Sequence, residues 1–253
     1  SEGDEPQGEE PQEEPEGDKP QDGGASNGLN GEGSEGENGS SETLSIGEQI
    51  EAGEVSVSSI TELEEAVAAL NADENDNEVT VNIAEDTYEV TGNEKLTIRR
   101  ENVTLKGAGQ GKTIIDCGEY SNSGQGGIII DADNVTIEDL TVTSTSTSGN
   151  VAAIKATALE TIEGEMRLVK NTVIRNVNVS SVNGHGINLH GTENAVIDGL
   201  TVEKAGKAGI SLANTVNVTI ENTKALSENC SWGSVAMMFA EGEAYKNPVS
   251  VVY

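Results

Sequence analysis

Both histidines of the chain fall in one short stretch, Asn183-Gly184-His185-Gly186-Ile187-Asn188-Leu189-His190-Gly191, five positions apart and set among glycines. Imidazole is the side chain whose charge changes near neutral pH, so such a pair reads first as acid–base machinery or as metal ligands. Either role needs partners. What else lies beside the histidines depends on the elements that carry them.

Those elements repeat. Gly186-Ile187-Asn188-Leu189 returns 23 positions later as Gly209-Ile210-Ser211-Leu212, and Asn194-Ala195-Val196-Ile197 returns as Asn217-Val218-Thr219-Ile220. Looser copies begin at Asn102, Asn134 and Asn171, and at Gly127 and Ala153. A fixed offset of this kind marks an array in which each unit buries its apolar side only by stacking on the next. Within each copy the apolar residues alternate, the period of a strand with one buried face. Short strands and turns at this spacing suit a coil lying parallel on itself, with successive coils about 4.8 Å apart. Leu105, Ile137, Ile174, Ile197 and Ile220 are then expected to form one interior ladder. Asparagines 102, 134, 171, 194 and 217 should stack at one corner, where positive φ is tolerated. Gly107, Asp139, Asn176, Gly199 and Asn222 should make a second left-handed corner.

The pattern Gly-Ile-x-Leu, a turn, then Asn-x-[Thr/Val]-Ile-x-[Asn/Asp/Gly] resembles the repeat of right-handed parallel β-helix proteins, the pectate-lyase-like superfamily. The segment Ser59-Ile60-Thr61-Glu62 reads as a capping box opening a helix over about 59–71, with an apolar stripe at Ile60, Leu63, Val67 and Leu70. In the family such a helix plugs the open end of the solenoid. The resemblance covers residues 59 to about 240 and implies an all-β parallel β-helix. It does not by itself imply a reaction, because lyases, hydrolases, adhesins and structural domains share this scaffold.

Aligning the Gly-Ile strands puts Asp131, Thr157, His190 and Ala213 in one outward column and Ile129, Lys155, Asn188 and Ser211 in the next. Asp131, Lys155, Asn188 and His190 are thereby expected to form an exposed polar patch, on the face where the family's enzymes place their clefts. In a lyase of this shape calcium held by carboxylates acidifies the sugar's α-proton and a Lys or Arg removes it. Lys155 fits that base, but Asp131 is the only carboxylate of these columns. A hydrolase needs two acids. Polygalacturonases carry a Gly-His-Gly like Gly184-His185-Gly186, but with an Asn-Thr-Asp and a paired Asp that this sequence lacks. The weak catalytic candidates are Lys155, His185, His190 and Asp131. Ligand contacts are expected from Asp131, Lys155, Asn188, His190, Arg167 and Trp232. No metal site and no cofactor is expected, and calcium would enter only with a lyase.

The interval from the Gly-Ile element to the next Asn is seven or eight residues in three copies but eighteen from Ala153 to Asn171. About ten residues holding Glu160, Glu163, Glu165 and Arg167 should loop out, and loops on rigid scaffolds are where binding is built. Trp232, the only tryptophan, either stacks on a sugar ring or covers the last coil. Cys117 and Cys230 fall about four coils apart, roughly 20 Å, too far for a disulfide.

Residues 1–43 contain fourteen acids, one lysine, four of the five prolines and no aromatic residue. Such a segment cannot bury enough apolar surface to offset its ordering entropy. The domain reading is therefore a disordered acidic linker over 1–45 and one β-helix domain over 46–253. The remainder still holds 31 acids against 13 bases, which argues against nucleic-acid partners and anionic membranes. No apolar run is long enough to span a bilayer. The chain starts at Ser1 with no signal peptide, read as an export signal already removed. The expectation is a non-catalytic secreted or cell-surface protein that binds polysaccharide, a surface glycan or a partner protein. The alternative is a polysaccharide lyase or glycoside hydrolase acting on an acidic polymer.

Overall fold

The computed structural model describes residues 44–90, 96–119, 126–146, 151–159, 161–162, 165–225, 230–238 and 251–252. The expected acidic linker lies outside the described residues as far as residue 43, as do Glu160 and Glu163.

The chain winds as a right-handed parallel solenoid whose coils each carry up to three strands. The first face stacks Glu54–Val57, Val79–Ile83, Val103–Gly107, Thr136–Ser144, Val173–Ser181, Val196–Asp198, Val218–Glu221 and Val251–Val252. Thr136–Ser144 and Val173–Ser181 bend on into a second face, shared with Asp86–Glu89, Thr113–Asp116, Thr201–Ala205 and Lys224–Ala225. The third face is a separate sheet of six strands, Leu96–Ile98, Gly126–Ile130, Ala152–Ala156, His185–His190, Ala208–Ala213 and Gly233–Met238.

Register confirms the interior ladder residue by residue. Leu105 pairs with Ile137, Ile137 with Ile174, Ile174 with Ile197 and Ile197 with Ile220. All are fully buried except Ile220, which is partly buried. Each such burial contributes roughly 1.5–3 kcal/mol, so the column is a main source of cohesion between coils. The corner asparagines have φ between 54° and 60°. Asn134 Nδ2 donates to Asn102 Oδ1 at 2.9 Å, Asn171 Nδ2 to Asn134 Oδ1 at 2.7 Å and Asn217 Nδ2 to Asn194 Oδ1 at 3.2 Å. The side chain that permits the left-handed turn also links it to the next coil.

The second corner is left-handed at Asp139, Asn176, Gly199 and Asn222 but not at Gly107. Glycine is required there for space instead: a Cβ would lie 2.3 Å from the Asp139 carbonyl oxygen. Cys117 and Cys230 form no disulfide.

Two helices precede or follow the first strand. Ile46–Glu51 was not expected, although its signal is complete: Glu48 N–H donates to Ser45 Oγ and Ser45 N–H to the Glu48 carboxylate at 2.8 Å. Ile60–Ala72 buries Leu63, Ala66, Val67 and Leu70. Its Ser59 caps Glu62 N–H, but the Glu62 carboxylate turns to Ser58 N–H at 2.7 Å, so the box closes one residue early. Asn71 joins this helix to the third sheet, donating to Thr97 O at 2.7 Å and accepting from Arg99 N–H at 2.8 Å. Buried Arg100 holds Asp73 at 3.1 Å and both the carbonyl and side-chain oxygens of Asn77.

Candidate functional site

The outward side of the third sheet carries the side chains singled out by sequence. Lys155 pairs with Ile129 and Asn188, and Asn188 with Ser211, which makes the expected column. His190 pairs with Ala213 in the next. A further column runs Gly126, Ala152, His185 and, one coil on, Ala208 and Gly233. His185 is its only large member. At Gly126 a Cβ would come 2.9 Å from the Lys155 Cβ, so the lysine stem lies against that bare position.

The patch is not exposed as expected. Lys155 is 7% exposed and His185 3%, Ser211 is fully buried, and Asp131, Asn188 and His190 are half-buried. Burial pushes the Lys155 amine below the usual lysine range. It also lowers both histidines. His185 falls to about 4, through burial first and then the Lys207 and Lys155 charges, and His190 is lowered by burial and then by Lys155. Lys155, level with Asn188 on the neighbouring strand, stands along the sheet between the positions of the two imidazoles.

Asp131 belongs to a different arrangement. The excursion after Thr157 forms a small antiparallel hairpin, Thr161–Ile162 with Glu165–Met166, and rejoins the solenoid at Val169–Lys170, which pairs with Thr192–Glu193. Arg167 ties its base down. The guanidinium donates to the Asp131 carbonyl, to Asp131 Oδ1 at 2.9 Å and to Asp133 Oδ1 at 3.2 Å. Leu159 N–H adds a bond to Asp131 Oδ1 at 3.2 Å. Asp131 and Arg167 thus lock each other and hold the base of the excursion.

Trp232 stands at the corner that leads into the third sheet, 45% exposed, with its backbone N–H bonded to Lys207 O and the Lys207 backbone N–H bonded to Gly184 O. The ring meets His185 edge to face at 5.3 Å, and Lys207 Nζ sits 4.6 Å over its centroid. Sequence reasoning missed Lys207 and Asn214. Extending the Gly-Ile alignment two positions upstream would have put Gly184, Lys207 and Trp232 in one column.

Four polar atoms on or beside this face are buried without a hydrogen-bond partner: His185 Nδ1, Asn188 Oδ1, Ser211 Oγ and Asn214 Nδ2. Unpaired buried groups cost about 1–3 kcal/mol each, and the same condition holds at Thr172, Asn178, Ser181, Thr192 and Thr215 elsewhere in the coils. Among the described residues no three side chains of His, Cys, Asp or Glu lie close enough to share a metal ion. No helix among them is long and apolar enough to cross a membrane.

The family model described as right handed beta helix region matches residues 81–229 and 163–247. Two solved A-modules of mannuronan C-5 epimerases from Azotobacter vinelandii are similar in structure, each at 16% identity. One alignment covers 72% of this chain and 55% of that chain at a TM-score of 0.46, the other 74% and 61% at 0.39. The chain thus spans less than two thirds of either module. Comparison with curated proteins gives no match.

Proposed function

The chain belongs to the right-handed β-helix family, and from that premise we propose that it is a non-catalytic binder of glycans, held on the outer side of the third sheet. One observation carries this reading: a half-exposed tryptophan stands at the margin of a face on which Asn188 and His190 present half-buried polar atoms. A sugar ring offers an apolar face to an aromatic ring and hydroxyls to such atoms. Trp232 is the platform, with Lys207 and His185 fixing its orientation. Asn188 and His190 form the half-buried rim, and Lys155 lies beneath them. Asp131 and Arg167 contribute by anchoring the excursion beside the site. Glycosidic hydrolysis needs two carboxyl groups, and Asp131, the sole carboxylate of the outward columns, is engaged by Arg167 and Leu159. The same reading makes this a secreted or cell-surface protein, where glycans and glycan-bearing partner proteins are met.

A lyase acting on an acidic polysaccharide is the second reading, favoured by the lowered Lys155 amine, which suits a proton-abstracting base. The calcium such a lyase uses finds no ligand set among the described residues.

Because the chain has one tryptophan, its intrinsic fluorescence reports on Trp232 alone. Titration of the full chain with a panel of oligosaccharides should give a saturable change for at least one, with no release of unsaturated product. Calorimetry on the Trp232→Ala variant should show that binding lost. Depolymerisation abolished by Lys155→Ala would replace the binder with the lyase.

A further inference from the structure

We propose that the Lys155 amine and the Asn188 side-chain amide condense into an intramolecular isopeptide bond that staples two coils of the solenoid together. The groups such a reaction needs stand level on successive strands of the third sheet. Lys155 pairs with Asn188, and Asn188 pairs with Ser211. Parallel neighbours lie about 4.8 Å apart and level residues project to the same side. The flexible four-carbon stem of lysine spans that interval, so the amine can meet the Asn188 amide carbon without movement of either strand.

Each group has the setting that its part requires. Lys155 is 7% exposed, and burial shifts its amine toward the neutral form, which is the nucleophile. Asn188 Oδ1 is closed off from solvent and accepts no hydrogen bond among the described residues, and Ser211 Oγ, fully buried one coil further on, is in the same condition. Orphaned polar atoms recur in the coils, and the amides of Asn178 and Asn214 hold two of them. Neither is level with an amine: Asn178 pairs with Thr141 and Thr201, and Asn214 follows Ala213, the last paired residue of its strand. The column Ile129, Lys155, Asn188, Ser211 and Ala236 contains no carboxylate, so no member of it holds the lysine in its charged form.

In the reaction the Lys155 nitrogen forms a bond to the Asn188 amide carbon. The amide oxygen gains negative charge, and the Ser211 hydroxyl donates to it. The bond from that carbon to the original amide nitrogen then breaks. This nitrogen leaves as ammonia, with one proton taken from the attacking amine, so atoms and charge balance without a further reactant. The product is a neutral amide in place of a buried amine, and it ties the coils by a link that no reductant opens.

Intact-mass spectrometry of the folded full chain tests the bond. The wild type should be lighter than its sequence by one ammonia, and tandem spectra of its digest should show a branched peptide joining Lys155 to Asn188. Lys155→Arg and Asn188→Ala should have full mass, and Asn188→Ala should melt several degrees below the wild type. Asn188→Asp should still close, now with loss of water, and give the same branched peptide. Ser211→Ala should close at least about tenfold more slowly after refolding, and closure at the wild-type rate overturns the part given to its hydroxyl. A wild-type mass equal to the sequence sum after days at neutral pH overturns the inference outright. So does an ammonia loss that persists in Lys155→Arg, which would mark cyclisation at the Asn183–Gly184 step instead.

Discussion

His185 and Trp232, two coils apart along the solenoid, meet edge to face with ring centroids 5.3 Å apart, and the imidazole is thereby shut into the structure at 3% exposure. Burial, with the Lys207 and Lys155 charges, lowers its pKa to about 4 from the 6.5 of a free imidazole. The unfolded chain then binds the proton first as pH falls, so this residue's contribution is fully favourable above about pH 6.5 and is lost as pH drops toward 4. The full difference is about 3 kcal/mol. Urea unfolding at pH 7 and pH 4.5 should show part of that loss in the wild type, and His185→Phe, which keeps a ring against Trp232, should show less. Equal pH dependence in the two proteins would contradict the buried neutral imidazole.

Lys155 is lowered by burial alone. Its ammonium is disfavoured in the folded state, and that penalty is fully present at pH 7. In the Asn188→Ala background, where the amine stays free, Lys155→Met preserves the stem that lies against Gly126 and removes the charge, so the melting temperature should rise. A fall would mean that the ammonium makes a stabilising contact larger than its desolvation.

The asparagine corner is both a left-handed turn and an amide chain. Asn134→Ala forces alanine to φ 57° and removes bonds to Asn102 and Asn171, with an expected cost of about 2 kcal/mol. Asn134→Gly removes the bonds alone and should cost about half as much. Denaturant titration of the pair separates the two contributions.

Arg100 is buried with its guanidinium against Asp73 and Asn77. Asp73→Ala should cost about 3 kcal/mol, because the charge left behind has lost its counter-ion. Adding Arg100→Met to that variant should cost much less than Arg100→Met alone. Strict additivity in the double-mutant cycle would show that the pair does not lock the helix to the first coils.

Thr192 and Thr215 are fully buried and their hydroxyls have no partner. Valine of nearly the same shape removes the orphaned hydroxyl, so each Thr→Val substitution should be neutral or stabilise by up to about 1 kcal/mol, read from denaturation midpoints.

The ladders were legible in the sequence because parallel stacking at one repeat per coil turns linear spacing into vertical neighbourhood. Ile174 over Ile197 and Asn134 over Asn171 follow from counting alone. Counting also placed Lys155 beside Asn188. It could not tell how far an outward side chain is covered, which depends on neighbours outside the column, and so the patch was expected to be exposed. Gly107 was misread because glycine answers two needs, a left-handed φ and lack of room, and the repeat distinguishes neither. The Ser45–Glu48 box was overlooked because it borders an acidic, serine-rich segment, where such residues carry little local information. Trp232 lay two residues upstream of the aligned element, and its packing against His185 depends on side-chain geometry that no spacing reveals.

The excursion between Ala156 and Val169 leaves the stack undisturbed, since Ala156 still lies level with Leu189 and Val169 with Thr192. The solenoid therefore tolerates added length at this bend without strain elsewhere. Arg167 sets only the footing of whatever is inserted. Foreign segments grafted between Thr157 and Arg167 should ride on the scaffold as on a fixed mount, so that what the face recognises can change while the folding problem stays the same.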